Sequence, residues 1–401
     1  MKNYLLYLGV ILCLLITTTT APVIGIQQVG LTSSAVILLI FFYEFLLVRK
    51  TLQFGMFREE ITIILISLIY VVFQAVEGNL DTFRLTFFAL MIPMILSMLL
   101  KIQKQDVKQK IKTITLVFFF LECLLAIYER IFSINIFPYT EEVENIYVEI
   151  QKWDFRSSAF LGHPLMNALC VSIIVSFILV HKFHTLFKLF CLTLGVVAIL
   201  CFNARGASLI WGALGIYYLY LLYKSKGKKT LHKLVLVVCC IIPLLYGTYY
   251  LMFLTSLGGR LVNQEKLMDG SAETRLNVLE AFNYIMDYDF WFGNPANYLV
   301  ITKLLGAGGV ENSYIVWIIQ YGIFFGIPLI ITLSYLVKKY LQFYSRQQKI
   351  FVLAAFVLVG SLNNSLSGTA PWIIFIICAN CFQVTKKKMS GKNVHELILH
   401  K

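Results

Sequence analysis

Residues 159–223 read AFLGHPLMNALCVSIIVSFILV (159–180), HKFHTLF (181–187), KLFCLTLGVVAILCFNA (188–204), RG (205–206) and ASLIWGALGIYYLYLLY (207–223). Three apolar blocks, each near the roughly 20 residues an α-helix needs to cross hydrocarbon, are separated by a short basic loop and then by a very tight turn. They are rich in Leu, Ile, Phe and Val and lack the period-2 alternation of an outer-membrane barrel strand. In lipid each backbone N–H and C=O must be satisfied within its own segment, so such blocks are helices.

The same pattern extends in both directions. Spans are predicted at 4–20, 31–48, 61–76, 84–100, 113–128, 159–180, 188–204, 207–223, 234–254, 312–335, 350–367 and 370–384. Of 401 residues 59% are hydrophobic and 14% charged, against about 25% charged in a soluble domain. The prediction is an all-α integral membrane protein of about twelve transmembrane helices, forming one polytopic domain over residues 1–401.

The net charge of +13 invites a nucleic-acid reading, which the placement of the charges excludes. With the N-terminus inside, 25 of the 34 Lys and Arg fall on the inner side and 15 of the 21 acids on the outer one. The densest basic runs, Lys101–Lys112, Lys224–Lys233 and Lys386–Lys388, each follow an even-numbered span. This is the positive-inside bias, and it predicts both termini in the cytoplasm and a multi-pass protein of the cytoplasmic membrane, with some attraction to anionic lipid heads. The nine cysteines all fall within spans and read as small buried apolar residues rather than disulfides; Cys378 and Cys381 form a C-x-x-C without a second pair. His181 and His184 read as a solvated inner loop.

Two connections are long. Residues 129–158 form an acidic outer loop, and residues 255–311 a second outer segment between the ninth and tenth spans. In the latter Leu276, Leu279, Phe282 and Ile285 recur at helical spacing, which predicts an amphipathic surface helix. Gly306, Gly308 and Gly309 then lead to the tenth span.

Candidate chemistry lies on the outer side. Arg156 precedes Gly162-His163-Pro164, Arg205 sits in Ala204-Arg205-Gly206-Ala207, Arg275 lies on the expected surface helix, and Arg260 follows two glycines. Each can snorkel to headgroup phosphates; alternatively, guanidinium groups converging on one pocket bind a pyrophosphate bidentately. Glu311, in Glu311-Asn312-Ser313-Tyr314, reads either as a desolvated base or as a helix N-terminal acid beside a capping Asn312 or Ser313. His163 reads as a base or as a structural hydrogen-bonder. Asp287 and Asp289 have the Asp-x-Asp spacing of metal-dependent glycosyltransferases, or are solvated acids. Glu44 and Glu122 lie inside spans, where acids are costly, and are the main support for a transporter.

Taken in order, these pieces resemble the bacterial O-antigen polymerase and ligase superfamily, multi-span C-type glycosyltransferases acting on undecaprenyl-pyrophosphate-linked glycans. Arg156 through Pro164 resembles its Arg…Gly-His-Pro-Asn patch, with Leu165 in place of the Asn. Ala204-Arg205-Gly206-Ala207 resembles its Ser-Arg-Gly-Ala turn. Thr274-Arg275 to Phe292-Gly293, then Glu311-Asn312-Ser313-Tyr314 and Tyr321-Gly322, resembles its outer loop and following helix. The acid of that last motif is usually His in ligases, so Glu311 favours a repeat-unit polymerase making O-antigen or capsular polysaccharide. The resemblance implies Arg205, Arg275 and Arg156 as pyrophosphate ligands, Glu311 or His163 as base, and Asn312, Tyr314 and Arg260 as substrate contacts. It implies neither metal nor cofactor, and as partners lipid-linked glycan donor and acceptor, a chain-length regulator and a flippase. A ligase of the same superfamily and a transporter or flippase are the competing readings; the transporter predicts inverted repeats and broken helices, and neither is visible in the sequence.

Overall fold

The computed structural model describes residues 2–17, 20, 29–48, 54–79, 81–137, 155–224, 277–305 and 310–383. Among them the chain is helical with no strand. The long helices are α1 (Lys2–Leu15), α2 (Val29–Phe42), α3 (Arg58–Val76), α4 (Thr82–Lys101), α5 (Gln105–Phe132), α6 (Pro164–Val180), α7 (Thr185–Cys201) and α8 (Arg205–Lys224). After the segment 225–276 come α9 (Asp287–Phe292), α10 (Pro295–Leu304), α11 (Ser313–Tyr340), α12 (Arg346–Leu353, running through Ala354–Leu358 into Val359–Ser361) and α13 (Thr369–Cys381). Helices α3, α4, α5, α8 and α11 are long and apolar enough to cross a membrane, and α1, α6, α7 and α13 are shorter apolar helices. Eleven of the predicted spans overlap helices, although residues 159–163 of one and 362–364 of another are not helical; span 234–254 lies outside the described residues, as does the basic run Lys386–Lys388.

Contacts at the helix ends show that neighbours alternate in direction. At one end Glu60 of α3 pairs with Lys101 of α4 at 2.5 Å, Lys339 of α11 pairs with Glu59, and Lys112 of α5 meets His181 beyond α6 at 3.0 Å. At the other end the start of α6, the end of α7, the starts of α8 and α11 and the end of α12 lie together. One continuous apolar core fills the bundle, while large apolar side chains also cover its outside: Ile216 is 70% exposed and Val76 82%. A water-soluble surface does not carry such a covering, and a lipid-facing one requires it.

Two expectations change. The predicted amphipathic helix is a 3-10 helix, Asn277–Tyr284. Its Val278 and Ala281 bury against Ile301, Val310, Ile315, Val316 and Ile319, with Phe282 and Ile285 packed beside them. Leu279 points outward, 65% exposed, and Leu276 lies outside the described residues. The buried face is thus directed at α10 and α11.

The second change is in α11, which breaks at Gly322 (φ 66°, ψ 174°). Gly293, at the end of α9 with φ 78°, presses into the break: a Cβ on Gly293 would stand 2.4 Å from the Tyr321 carbonyl carbon, and one on Gly322 2.4 Å from the Gly293 nitrogen. The released backbone groups are satisfied by α3 and by the chain after α9. Tyr70 donates to the Gln320 carbonyl, Gln74 donates to the Gly293 carbonyl at 2.7 Å, and Asn294 N–H donates to the Ile319 carbonyl at 3.1 Å. The Phe292-Gly293 and Tyr321-Gly322 motifs are two halves of one backbone contact.

Gly293→Ala and Gly322→Ala should each destabilise the purified protein by more than about 2 kcal/mol, whereas Gly212→Ala, where nothing lies within 4 Å of the added methyl, should be close to neutral. Thermal unfolding followed by size-exclusion chromatography reads the difference; equal midpoints for all three would contradict the contact.

Candidate functional site

The site grows from a segment predicted to be partly helical. Residues 155–163, ahead of α6, are non-helical and buried as a strap against the end of α5. Glu129, on the last turn of α5, accepts the Ser158 and Ala159 N–H groups at 2.9 Å on one carboxylate oxygen and the Ile136 N–H at 2.9 Å on the other. Arg130 donates to the Phe155 carbonyl. Ser157 Oγ donates to the Ala126 carbonyl at 2.8 Å, and Glu122 accepts the Phe160 N–H at 3.2 Å. These anchors hold Ala159 at φ 41° and Gly162 at φ 77°, the former a left-handed conformation that a non-glycine residue adopts only under constraint.

The Arg205 turn is built from the end of α7. Asn203 sits at φ 52°, and Asn203 N–H and Ala204 N–H return to the Leu200 carbonyl (2.9 Å) and the Ile199 carbonyl (3.5 Å). This is the Schellman closure, with Asn supplying the left-handed residue. The Cys201 carbonyl, otherwise an orphan of the helix end, accepts the Ser157 N–H of the strap at 3.2 Å. Helix α8 starts at once, and Gly206 lets it approach Leu362, whose Cδ1 would lie 2.6 Å from a Cβ on Gly206.

Strap and turn therefore bring Arg156 and Arg205 to one cleft, lined also by Asn203, Leu165, Leu362 and Asn363. Both arginines are half-buried. The far wall is the break between α12 and α13, residues 362–368, fixed by Ser313: its Oγ donates to the Asn363 carbonyl at 2.7 Å, and its N–H reaches the same carbonyl at 2.9 Å. Glu311 and Asn312 directly precede Ser313, so the acid motif arrives on the wall that carries Asn363. One carboxylate oxygen of Glu311 is buried.

Other expected residues land as follows. Asn312 is the N-cap of α11, its side-chain oxygen accepting from Tyr314 N–H (3.0 Å) and Ile315 N–H (3.2 Å), so that oxygen is engaged in capping. Tyr314 is half-buried with its ring edge-on to Trp317. His163 is the N-cap residue of α6, one position ahead of that apolar helix. Burial, and then the neighbouring Arg156 guanidinium, push its pKa down to about 4, so it is neutral at pH 7 and lies near Arg156. Arg275 and Arg260 lie outside the described residues.

Asp289 accepts from the Asn297 side chain at 2.6 Å, and no cluster of three metal-ligating side chains occurs among the described residues. Cys378 and Cys381 are buried free thiols of α13. His181, expected in a solvated loop, is instead half-buried: its Nδ1 meets the Phe382 carbonyl at 2.8 Å. A carbonyl only accepts, so Nδ1 carries the proton and Nε2 accepts from Lys112; burial and the nearby lysines lower its pKa accordingly. Glu122, offered for transport, is an acceptor for the strap.

The residues that sequence reasoning missed are Glu129, Ser157 and Asn363; Ser313, read as a possible cap, instead bonds the Asn363 carbonyl. For Glu129 a signal existed: Glu122 and Glu129 are seven apart, on one face of α5, together with the buried Cys123, Ala126 and Arg130.

No family model matches the chain, and no curated protein matches it.

The folded protein resists protonating His163 until about pH 4, whereas an unfolded His protonates near 6.5. Stability linked to this residue is therefore intact above about pH 6.5 and falls as the pH drops towards 4. His163→Gln should unfold with a shallower pH dependence over that window; identical slopes would show that His163 is not shielded.

Proposed function

We propose that this protein is a membrane glycosyltransferase that polymerises undecaprenyl-pyrophosphate-linked oligosaccharide repeat units on the outer face of the cytoplasmic membrane, within a C-type glycosyltransferase architecture of about twelve spans. The observation that carries the reading is the cleft shared by Arg156 and Arg205, which come from segments about fifty residues apart in sequence and meet at the bundle end opposite the Glu60–Lys101 ion pair. Two cations at one partly desolvated cleft favour a dianionic group, and planar guanidiniums match phosphoryl oxygens bidentately. The sequence resemblance supplies the substrate class.

In the proposed reaction the acceptor sugar hydroxyl attacks the anomeric carbon of the donor glycan. The bond from that carbon to the phosphate oxygen breaks, and the lipid pyrophosphate leaves with the electron pair. Charge grows on the departing phosphate oxygen, where Arg156 and Arg205 stabilise it. The hydroxyl proton passes to Glu311, two residues ahead of the Ser313 that bonds the Asn363 carbonyl, or to neutral His163.

The break in α11 favours a second reading, because transporters build their sites from interrupted helices. In those sites the freed backbone groups line a cavity. Here the Ile319 and Gln320 carbonyls are taken up by Asn294 and Tyr70, which supports a structural joint, and the polymerase reading stays in front.

A deletion strain should accumulate single lipid-linked repeat units in place of a polymer ladder, seen by gel and by mass. Arg205→Ala should reproduce that profile at normal protein level, with turnover reduced by more than about a hundredfold. Full-length polymer left on the carrier lipid would point to the ligase; an unchanged profile would move transport ahead.

A further inference from the structure

We infer that Glu129 is a positioning residue of the two-arginine cleft, acting through the strap 155–160 on Arg156; the inference rests on reading that cleft as the pyrophosphate site. Glu129 sits at the end of α5 and is fully buried. It does not line the cleft, yet its two carboxylate oxygens take up three backbone N–H groups, two of them from Ser158 and Ala159. Arg156 is two residues ahead of the first of these. The intervening Ser157 is held on both sides, by its Oγ to the Ala126 carbonyl of α5 and by its N–H to the Cys201 carbonyl of α7. The residue beyond the Glu129 contacts is not free to relax either, because Phe160 N–H is held by Glu122.

The chain from Phe155 to Phe160 is thus fixed to α5 at Arg130, Ala126, Glu129 and Glu122, and to α7 at the turn that presents Arg205. Two guanidiniums repel each other, and an unanchored strap would swing Arg156 away from Arg205 towards solvent or headgroup phosphate. A carboxyl group that accepts at both oxygens is what Ser158, Ala159 and Ile136 require. A Gln in its place keeps the shape but turns one acceptor into a donor facing an N–H.

The test uses full-length protein in nanodiscs with inorganic pyrophosphate as the probe, measured by calorimetry for wild type, Glu129→Gln, Arg156→Ala and the double variant. Glu129→Gln should elute as monodisperse protein and weaken pyrophosphate binding about tenfold or more, yet produce no further weakening once Arg156 is Ala, since partners in one chain of contacts are not additive. An equal weakening in both backgrounds, or none in wild type, overturns the positioning role while leaving the cleft in place. Failure of the wild-type protein to bind pyrophosphate overturns the cleft, and the inference with it. Should Glu129→Gln not accumulate, Ser157→Ala removes the Oγ anchor alone, and a smaller weakening that likewise disappears in the Arg156→Ala background is expected; one that persists there contradicts the inference.

Discussion

A backbone group set free inside a bundle that water does not reach costs about 1–3 kcal/mol if nothing pairs with it, and more in hydrocarbon. That constraint organises each place where this chain departs from a helix. At Gly322 the freed Gln320 and Ile319 carbonyls take Tyr70 and Asn294. In the strap the Ser158 and Ala159 N–H groups take Glu129. At the break after α12, Ser313 bonds the Gly360 and Asn363 carbonyls and accepts the Leu366 N–H at 3.1 Å. Each irregular segment is bought by a polar side chain from another helix, and the irregular segments are the ones that carry the candidate residues.

The two ends of the bundle use charge differently. At the end rich in lysine, side chains answer the orphan carbonyls of helix C-termini: Lys188 donates to Leu179, Gln348 to Val180 and His181 to Phe382. Buried Glu60 pairs there with Lys101 and accepts from Ser97, which itself meets Tyr340, so α3, α4 and α11 are tied together by one run of polar contacts. At the opposite end the carboxylates of Glu122 and Glu129 are spent on backbone N–H groups, and the arginines face a cleft. This division matches the sidedness predicted from Lys and Arg along the chain, in which the lysine-rich end is the inner one.

Helix positions were legible because the mean apolar character of a window is a local property: the predicted spans at 61–76 and 113–128 fall inside α3 and α5. What windows cannot register is an interruption that keeps its hydrophobicity. Gly322 lies in an apolar run, and its break depends on Gly293 arriving from a separate segment. Residues 159–163 are apolar enough to read as span, yet they are held in a non-helical turn by acids that a hydropathy profile counts only as a penalty. Of the candidate site, the arginines were legible because they fall beside short motifs on the predicted outer side. The shared cleft of Arg156 and Arg205 was not, since it depends on Ser157 meeting the end of α7. Asn312 was legible in the other direction, as a cap, and the structure uses it so.

The central claim is that Arg156 and Arg205 act on one ligand. A double-mutant cycle on Arg156→Lys and Arg205→Lys, read as affinity of the purified protein for inorganic pyrophosphate, tests it most directly. The account predicts a coupling of at least about 1 kcal/mol between the two positions, because replacing either fork spoils the geometry that the other shares. Losses that simply add would place the two arginines at independent sites and contradict it.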